Sequence, residues 1–308
     1  MFAVQFDRFG GPEVLAIGPF AEPHAGAGRV RIRVRATGIS PVDLSLRSGL
    51  SPSSASLPLP HIPGVDAAGV IDEVGADVEG FAVGDDVFGT VDVSRLGGAS
   101  AEFAVLTFWA LKAASMSWAE AGAAGTSIET ATRSLDQLGV NEGSSLLIEG
   151  AAGGVGSVAV QLAVARGARV IGTARPESLT FLAELGAIPI AFGPGLPQRV
   201  RALDVGPVDL ALDAAGAGSL GELIEATGSP ESVVSIADFS APTLGVHLSL
   251  GELGGQPDGR HGLADAAALS EAGRFHVPVQ HVFPVNRAAD AHSAAERHPR
   301  RGKIALVF

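Results

Sequence analysis

The residues best able to do chemistry lie close together in the middle of the chain. Leu146-Leu147-Ile148-Glu149 is an apolar run that leads straight into Gly150-Ala151-Ala152-Gly153-Gly154-Val155-Gly156. Val155, Val158, Leu162 and Ala165 then recur at helical spacing, and Arg169–Gly172 reads as a second strand. Glycines between a strand and a helix allow a sharp turn. They also let backbone N–H groups approach a bound anion closely, where the helix N-terminus adds partial positive charge. The anion such a loop suits is a pyrophosphate, so the segment reads as a dinucleotide site. A plain tight turn between strand and helix is the competing reading.

The end of the second strand bears on which dinucleotide. NAD sites usually place an acid there, on the ribose diol, about 20 residues past the glycines. Here the chain reads Gly172-Thr173-Ala174-Arg175, with no acid. A carboxylate would repel a 2′-phosphate, whereas a guanidinium binds one bidentately. Arg175 therefore favours NADP(H) as cofactor, against the simpler reading of a solvated helix-start residue.

Composition narrows the rest. Lys and Arg number 21 against 33 Asp and Glu, for a net charge of −12. So acidic a chain is a poor polyanion binder, which argues against nucleic acid and anionic membranes. There is no cysteine. Disulfides, thiolate zinc sites, iron–sulfur clusters and cysteine nucleophiles are thereby excluded, and a reducing cytoplasm is the fitting location. There is no tyrosine, hence no phenol as acid or base. No uncharged stretch reaches the ~20 apolar residues of a membrane helix, and a soluble protein is expected.

The elements that must position these residues follow from periodicity. The first third reads as short strands: Phe2–Phe6, Val14–Ile17, Arg29–Arg35, Asp66–Val74, Asp86–Phe88 and Ala101–Leu106. Arg29, Arg31, Arg33 and Arg35 alternate with Val30, Ile32 and Val34, the pattern of an antiparallel strand with one wet face. Ser48–Pro63, rich in Ser and Pro, reads as a loop. The sum is a compact barrel-like β domain. From Ser117-Trp118-Ala119-Glu120, which has the form of a capping box, the style changes. Strands at 146–148, 169–172, 208–212 and 233–236 alternate with helices, which argues for a doubly wound parallel sheet in an α/β fold. The tail returns to the first style, with strands at 279–283 and 303–308 around a helix at 287–296, and is expected to rejoin the first domain.

Six stretches stand out together: Val4–Leu15, Gly38-Ile39-Ser40-Pro41-Val42-Asp43, Pro63–Gly69, Val83–Gly89, the glycine loop and Arg301-Gly302-Lys303. By them the chain resembles the medium-chain dehydrogenase/reductase superfamily, in its zinc-independent quinone oxidoreductase and enoyl reductase branch. It implies a GroES-like substrate domain at 1–113 and 275–308, a Rossmann NADP(H)-binding domain at 114–274, and a homodimer. It further implies that Gly153, Gly154 and Val155 hold the pyrophosphate and that Thr173 and Arg175 serve the adenosine ribose. Thr130, Ala237 and Asp238 would then approach the nicotinamide. A helix threonine bonding its own backbone is the rival role for Thr130.

Where the zinc-dependent branch has a cysteine ligand this chain has Ser40, and where it has a histidine ligand this chain has Val65. No metal is expected. Without a Lewis acid, alcohol dehydrogenation is hard, and hydride transfer to an activated C=C or a quinone is easier. Relatives often carry Asn at the position of Ser40 and Tyr at that of Ser45, facing nicotinamide and substrate. Ser40 and Ser45 are the candidate substrate contacts, in a roomier pocket. Asp43 is either an orienting group or a loop cap, and His61 either a proton source or a bystander. Arg297–Arg301 reads as a solvated turn. The expected activity is NADPH-dependent reduction of a small enone, enoyl thioester or quinone. The alternative is an NADP(H)-binding protein without turnover, acting as a redox sensor or partner. A pathway-specific enzyme, as in polyketide tailoring, is a third reading.

Overall fold

A computed structural model describes residues 1–297 and 301–308. The middle of the basic run read as a turn at Arg297–Arg301 lies outside the described residues. In chain order the strands begin with β1 (Phe2–Gln5), β2 (Ala16–Pro19), β3 (Val30–Ile39), β4 (Asp66–Val74), β5 (Asp86–Val91) and β6 (Phe103–Leu111). They continue with β7 (Ser145–Glu149), β8 (Arg169–Ala174), β9 (Ile188–Ala191), β10 (Leu210–Asp213), β11 (Val233–Ser235) and β12 (His247–Leu248), and close with β13 (Val279–Pro284) and β14 (Lys303–Val307). The helices used below are α1 (Pro41–Ser48), α2 (Trp118–Gly122), α3 (Gly125–Gln137) and α4 (Gly154–Ala165). The chain divides into two compact units, residues 1–126 with 263–308, and residues 127–262. Among the described residues no helix is long and apolar enough to cross a membrane.

In the first unit one sheet runs β13-β14-β3-β4-β5-β6, and β3 also pairs with β6, so the last four strands close on themselves. All pairings are antiparallel except β13 with β14. The alternation read in β3 holds: Val30, Ile32 and Val34 are buried, while Arg33 and Arg35 are exposed. Arg31 forks onto Asp72 at 3.0 and 3.1 Å and, like Arg33, lies over the Phe103 ring. The valines, with Val65, Ile71, Val87 and Leu106, form the core. The tail does rejoin this unit, since Ile304–Val307 of β14 pairs with Ala36–Ile39 of β3. Gly302, at φ +70°, makes the entry: an added Cβ would meet the Pro278 carbonyl oxygen at 2.0 Å.

Several elements were not read from the sequence, among them β9, β12 and the helix that follows β3. Residues 41–48 form helix α1, although every signal is present: Ser40 at the N-cap, Pro41 in the first turn, Asp43 closing a capping box and Gly49 left-handed at the end. Within the segment read as a loop, Pro52–Ser56 forms a short 3₁₀ helix.

The second unit holds a six-stranded sheet in the order β12-β11-β10-β7-β8-β9, with every pairing parallel. Renumbered within the unit this is 6-5-4-1-2-3, a doubly wound order whose reversal falls at its first strand, β7. Helix α4, expected to bury one face, is buried almost all round from Gly156 to Ala163, Ser157 and Gln161 included. The Gln161 amide answers this by donating to the Ser157 carbonyl at 3.0 Å. The chain has the α/β fold expected, with a GroES-like β domain and a Rossmann-like parallel sheet.

Candidate functional site

The glycine loop begins where β7 ends. Gly150 has φ +74°, and its amide donates to the Thr173 hydroxyl at 3.3 Å, while the Ala151 amide donates to the Thr173 carbonyl at 3.2 Å. The loop is thus pinned to the end of β8. Gly153 takes an extended conformation at the N-cap of α4 and donates to the Gly150 carbonyl at 3.0 Å. Gly156 lets helix and strand touch: a Cβ there would lie 2.2 Å from the Gly150 oxygen. A Cβ on Gly153 would have only that same oxygen near it, at 3.3 Å, so this side of the loop is open. The amides of Gly154 and Val155, in the first turn of a 12-residue helix, have no acceptor within the helix. The cradle fits a pyrophosphate, because its donors are backbone groups at the positive end of a helix.

The structure sorts the residues expected around it. Thr173 is 1% exposed with its hydroxyl occupied by Gly150, so it shapes the loop from behind. Arg175 stands exposed just past β8. Ala237 and Asp238 follow β11, and their amides donate to the Ser235 hydroxyl at 3.2 and 2.9 Å. The Asp238 carboxylate accepts from the Ser240 side chain and amide, which hold its pKa below the usual range. Ser235 in turn donates to Asp213 at 2.7 Å, and Asp213 accepts from the amides of Ala215 and Gly216 at 2.9 Å each. Glu149, beside it, is pushed up by burial while the Ser219 hydroxyl, which donates to it, works the other way. Thr130 donates to Glu129 at 3.1 Å and accepts from Arg133 at 3.3 Å, bonds to neighbouring side chains rather than to its own backbone.

In the first unit Ser40 and Ser45 part company. Ser45 donates back to the Val42 carbonyl at 3.0 Å, one turn earlier in α1. Ser40, at the end of β3, is 7% exposed and accepts from the Lys303 ammonium at 2.7 Å. Lys303 also meets Asp66 at 3.2 Å. Asp66 is fully buried and accepts from the Thr126 amide at 2.6 Å and hydroxyl at 2.7 Å, while Thr37 donates to its backbone carbonyl at 2.6 Å. Asp43 accepts from the amides of Ser40 and Gly64 at 2.7 and 2.9 Å, tying the start of α1 to the loop before β4. Burial pushes its carboxyl up to about 6, against those two bonds. Asp43 is therefore a cap that also fixes Ser40. His61 is nearly buried, bonded to the Leu96 carbonyl at 3.1 Å, edge-on to Phe6, and held below its ordinary pKa by burial.

Lys303, Asp66 and Thr126 were not among the residues singled out for chemistry. A signal existed: Lys303 opens the otherwise apolar run Lys303-Ile304-Ala305-Leu306-Val307, and Asp66 opens Asp66-Ala67-Ala68-Gly69-Val70. A charge at the head of a buried strand needs a partner.

Comparisons with known proteins agree with this geometry. Residues 26–126 match the alcohol dehydrogenase GroES-like domain family and residues 195–306 the zinc-binding dehydrogenase family. A 2-methylene-furan-3-one reductase of Solanum lycopersicum is 36% identical over 197 residues, 61% of this chain and 50% of that protein. The chain spans about half the length of the curated relatives it matches. Among solved structures, the quinone oxidoreductase from Coxiella burnetii superposes with a TM-score of 0.86 at 27% identity, over 100% of this chain and 99% of that one. An alcohol dehydrogenase superfamily protein from Novosphingobium aromaticivorans gives 0.86 at 31% identity, with the same coverage. The chain belongs to the medium-chain dehydrogenase/reductase superfamily, in its quinone oxidoreductase branch.

Proposed function

We propose that the chain is an NADPH-dependent, metal-free oxidoreductase that reduces an activated C=C bond or a quinone. The observation that carries this reading is the glycine cradle at Gly150–Gly156, with no acid and one exposed arginine at the end of β8. Gly153, Gly154 and Val155 would hold the pyrophosphate, and Arg175 the 2′-phosphate, with Thr173 bracing the loop. Thr130, Ala237 and Asp238 would border the nicotinamide. When bound, the reduced dinucleotide supplies a hydride. Two relatives are named for acting on a methylene-furanone and on a quinone.

The donor set near Ser40 does not fit zinc. Val65 has no ligating atom, and the Ser40 oxygen already faces an ammonium at 2.7 Å, a cation that would repel a second one. Among the described residues no group of three His, Cys, Asp or Glu side chains could hold a metal. The chemistry left to these residues is hydrogen bonding to a charge that develops on oxygen, with Ser40 as the substrate contact. A homodimer and a cytoplasmic location belong to the same reading.

The test is to follow NADPH consumption with a panel of quinones and enones, with NADH in parallel. Turnover with NADPH at least tenfold more efficient than with NADH is expected. Tight NADPH binding with no acceptor consumed would favour the non-catalytic binding protein instead, and no binding of either dinucleotide would overturn both.

A further inference from the structure

We infer that Ser40, backed by Lys303, is an oxyanion site: a hydroxyl aimed by a buried ammonium at the enolate or phenolate oxygen of the reduced substrate. This deepens the substrate reading of Ser40 and rests on it. Three observations in the first unit carry it. Lys303 has only protons to offer, so at 2.7 Å the Ser40 oxygen must accept, and its own proton must point elsewhere. Among the described residues that proton meets no acceptor. The serine oxygen is fixed as well, because the Ser40 amide is held by Asp43 at 2.7 Å and the residue caps a helix.

The charge behind the hydroxyl is equally fixed. Lys303 is 6% exposed and paired with Asp66 at 3.2 Å, and Asp66 is locked by both donors of Thr126. The pair is close to neutral as a unit. The ammonium, however, stands next to Ser40, while the carboxylate lies beyond it with its oxygens occupied. A hydroxyl that accepts from a cation becomes a stronger donor, since hydrogen bonds in a low-dielectric site polarise one another. Hydride adds to the carbon, the displaced π pair moves to the conjugated oxygen, and that oxygen takes the hydrogen bond from Ser40. No proton leaves Ser40; the product draws its proton from water. Ser40 is the catalytic residue here, and Lys303 is a positioning residue that acts through it.

p-Nitrophenol tests the site without turnover, because its phenolate mimics the charged oxygen and absorbs differently from the phenol. The full chain, saturated with NADP⁺, is expected to bind phenolate about tenfold to a hundredfold more tightly than phenol. Ser40→Ala should remove that preference, and so should Lys303→Met. The double variant should be no worse than either single one, since the lysine works through the serine. Lys303→Arg, which keeps the cation, should retain part of the preference, and it serves if Lys303→Met does not fold by circular dichroism. Equal affinity for phenol and phenolate in the unmodified protein, no binding of either, or a preference that survives Ser40→Ala would overturn the inference. A phenolate preference in a protein that binds NADPH but oxidises it with none of the acceptors would sustain the oxyanion site and reject the reductase reading.

Discussion

In the proposed reading the two units hold negative charge with opposite materials. The second unit uses main chain: the free amides of Gly154 and Val155 belong to residues adjacent in sequence, on a loop pinned by Thr173. The first unit uses side chains far apart: Ser40 and Lys303 are 263 positions from one another, and Asp66 and Thr126 are 60 apart. A backbone cradle tolerates many side chains but few shapes. A side-chain network depends on residue type, because removing one member deprives its buried partners of a bond.

That contrast can be broken at several points, from the largest expected effect down. Lys303→Met leaves Asp66 buried without its ion pair and should lower unfolding free energy by about 3–5 kcal/mol in denaturant titration. A loss below about 1 kcal/mol would mean that Thr126 alone satisfies Asp66. Gly156→Val tests the main-chain half, since even a Cβ would press on the Gly150 oxygen. Dinucleotide binding, read by nicotinamide fluorescence, should weaken about tenfold to a hundredfold, as for overpacking of about 1–3 kcal/mol. Asp43→Asn can accept only one of the two amide protons well and should cost about 1–3 kcal/mol. Its cost depends on pH in a definite direction. The folded carboxyl sits near 6, above its ordinary 3.8, so the native state holds more protons between those values and the aspartate's contribution falls as pH rises through them. The penalty of the substitution should therefore shrink between pH 4 and 6, as measured by urea unfolding at both ends. Arg175→Ala should cost about tenfold in NADPH affinity with NADH affinity unchanged, and equal losses for both would remove the 2′-phosphate role.

How much of this was legible beforehand follows the same division. The alternation of Arg29–Arg35 with its valines, the capping box at Ser117–Glu120, which the structure retains with its Glu120 amide donating to Ser117, and the strand–glycine–helix run are local patterns, and each was readable from neighbouring residues. Helix α1 was equally local, but Ser40, Asp43 and Ser45 were weighed there as single residues and not as the signals of one helix. The Lys303–Asp66–Thr126 network could not be placed by spacing, because only the pairing of β14 with β3 and the closed sheet bring its members together. Thr173 and Ser45, singled out by the resemblance, also carry local bonds that spacing does not announce: the Thr173 hydroxyl accepts from Gly150 and the Ser45 hydroxyl donates to Val42.

Strand β14 carries a consequence for how the protein is made. The residues that surround Ser40 emerge from the ribosome early, but the strand bearing Lys303 is synthesised only after the whole parallel-sheet unit. The nascent first unit must wait with an open sheet edge at β3 and an uncompensated carboxylate at Asp66, while the later unit folds as an uninterrupted block. Synthesis thus delivers the glycine loop before the cation that hydrogen-bonds Ser40, and a chain stopped short of residue 303 would carry the one without the other.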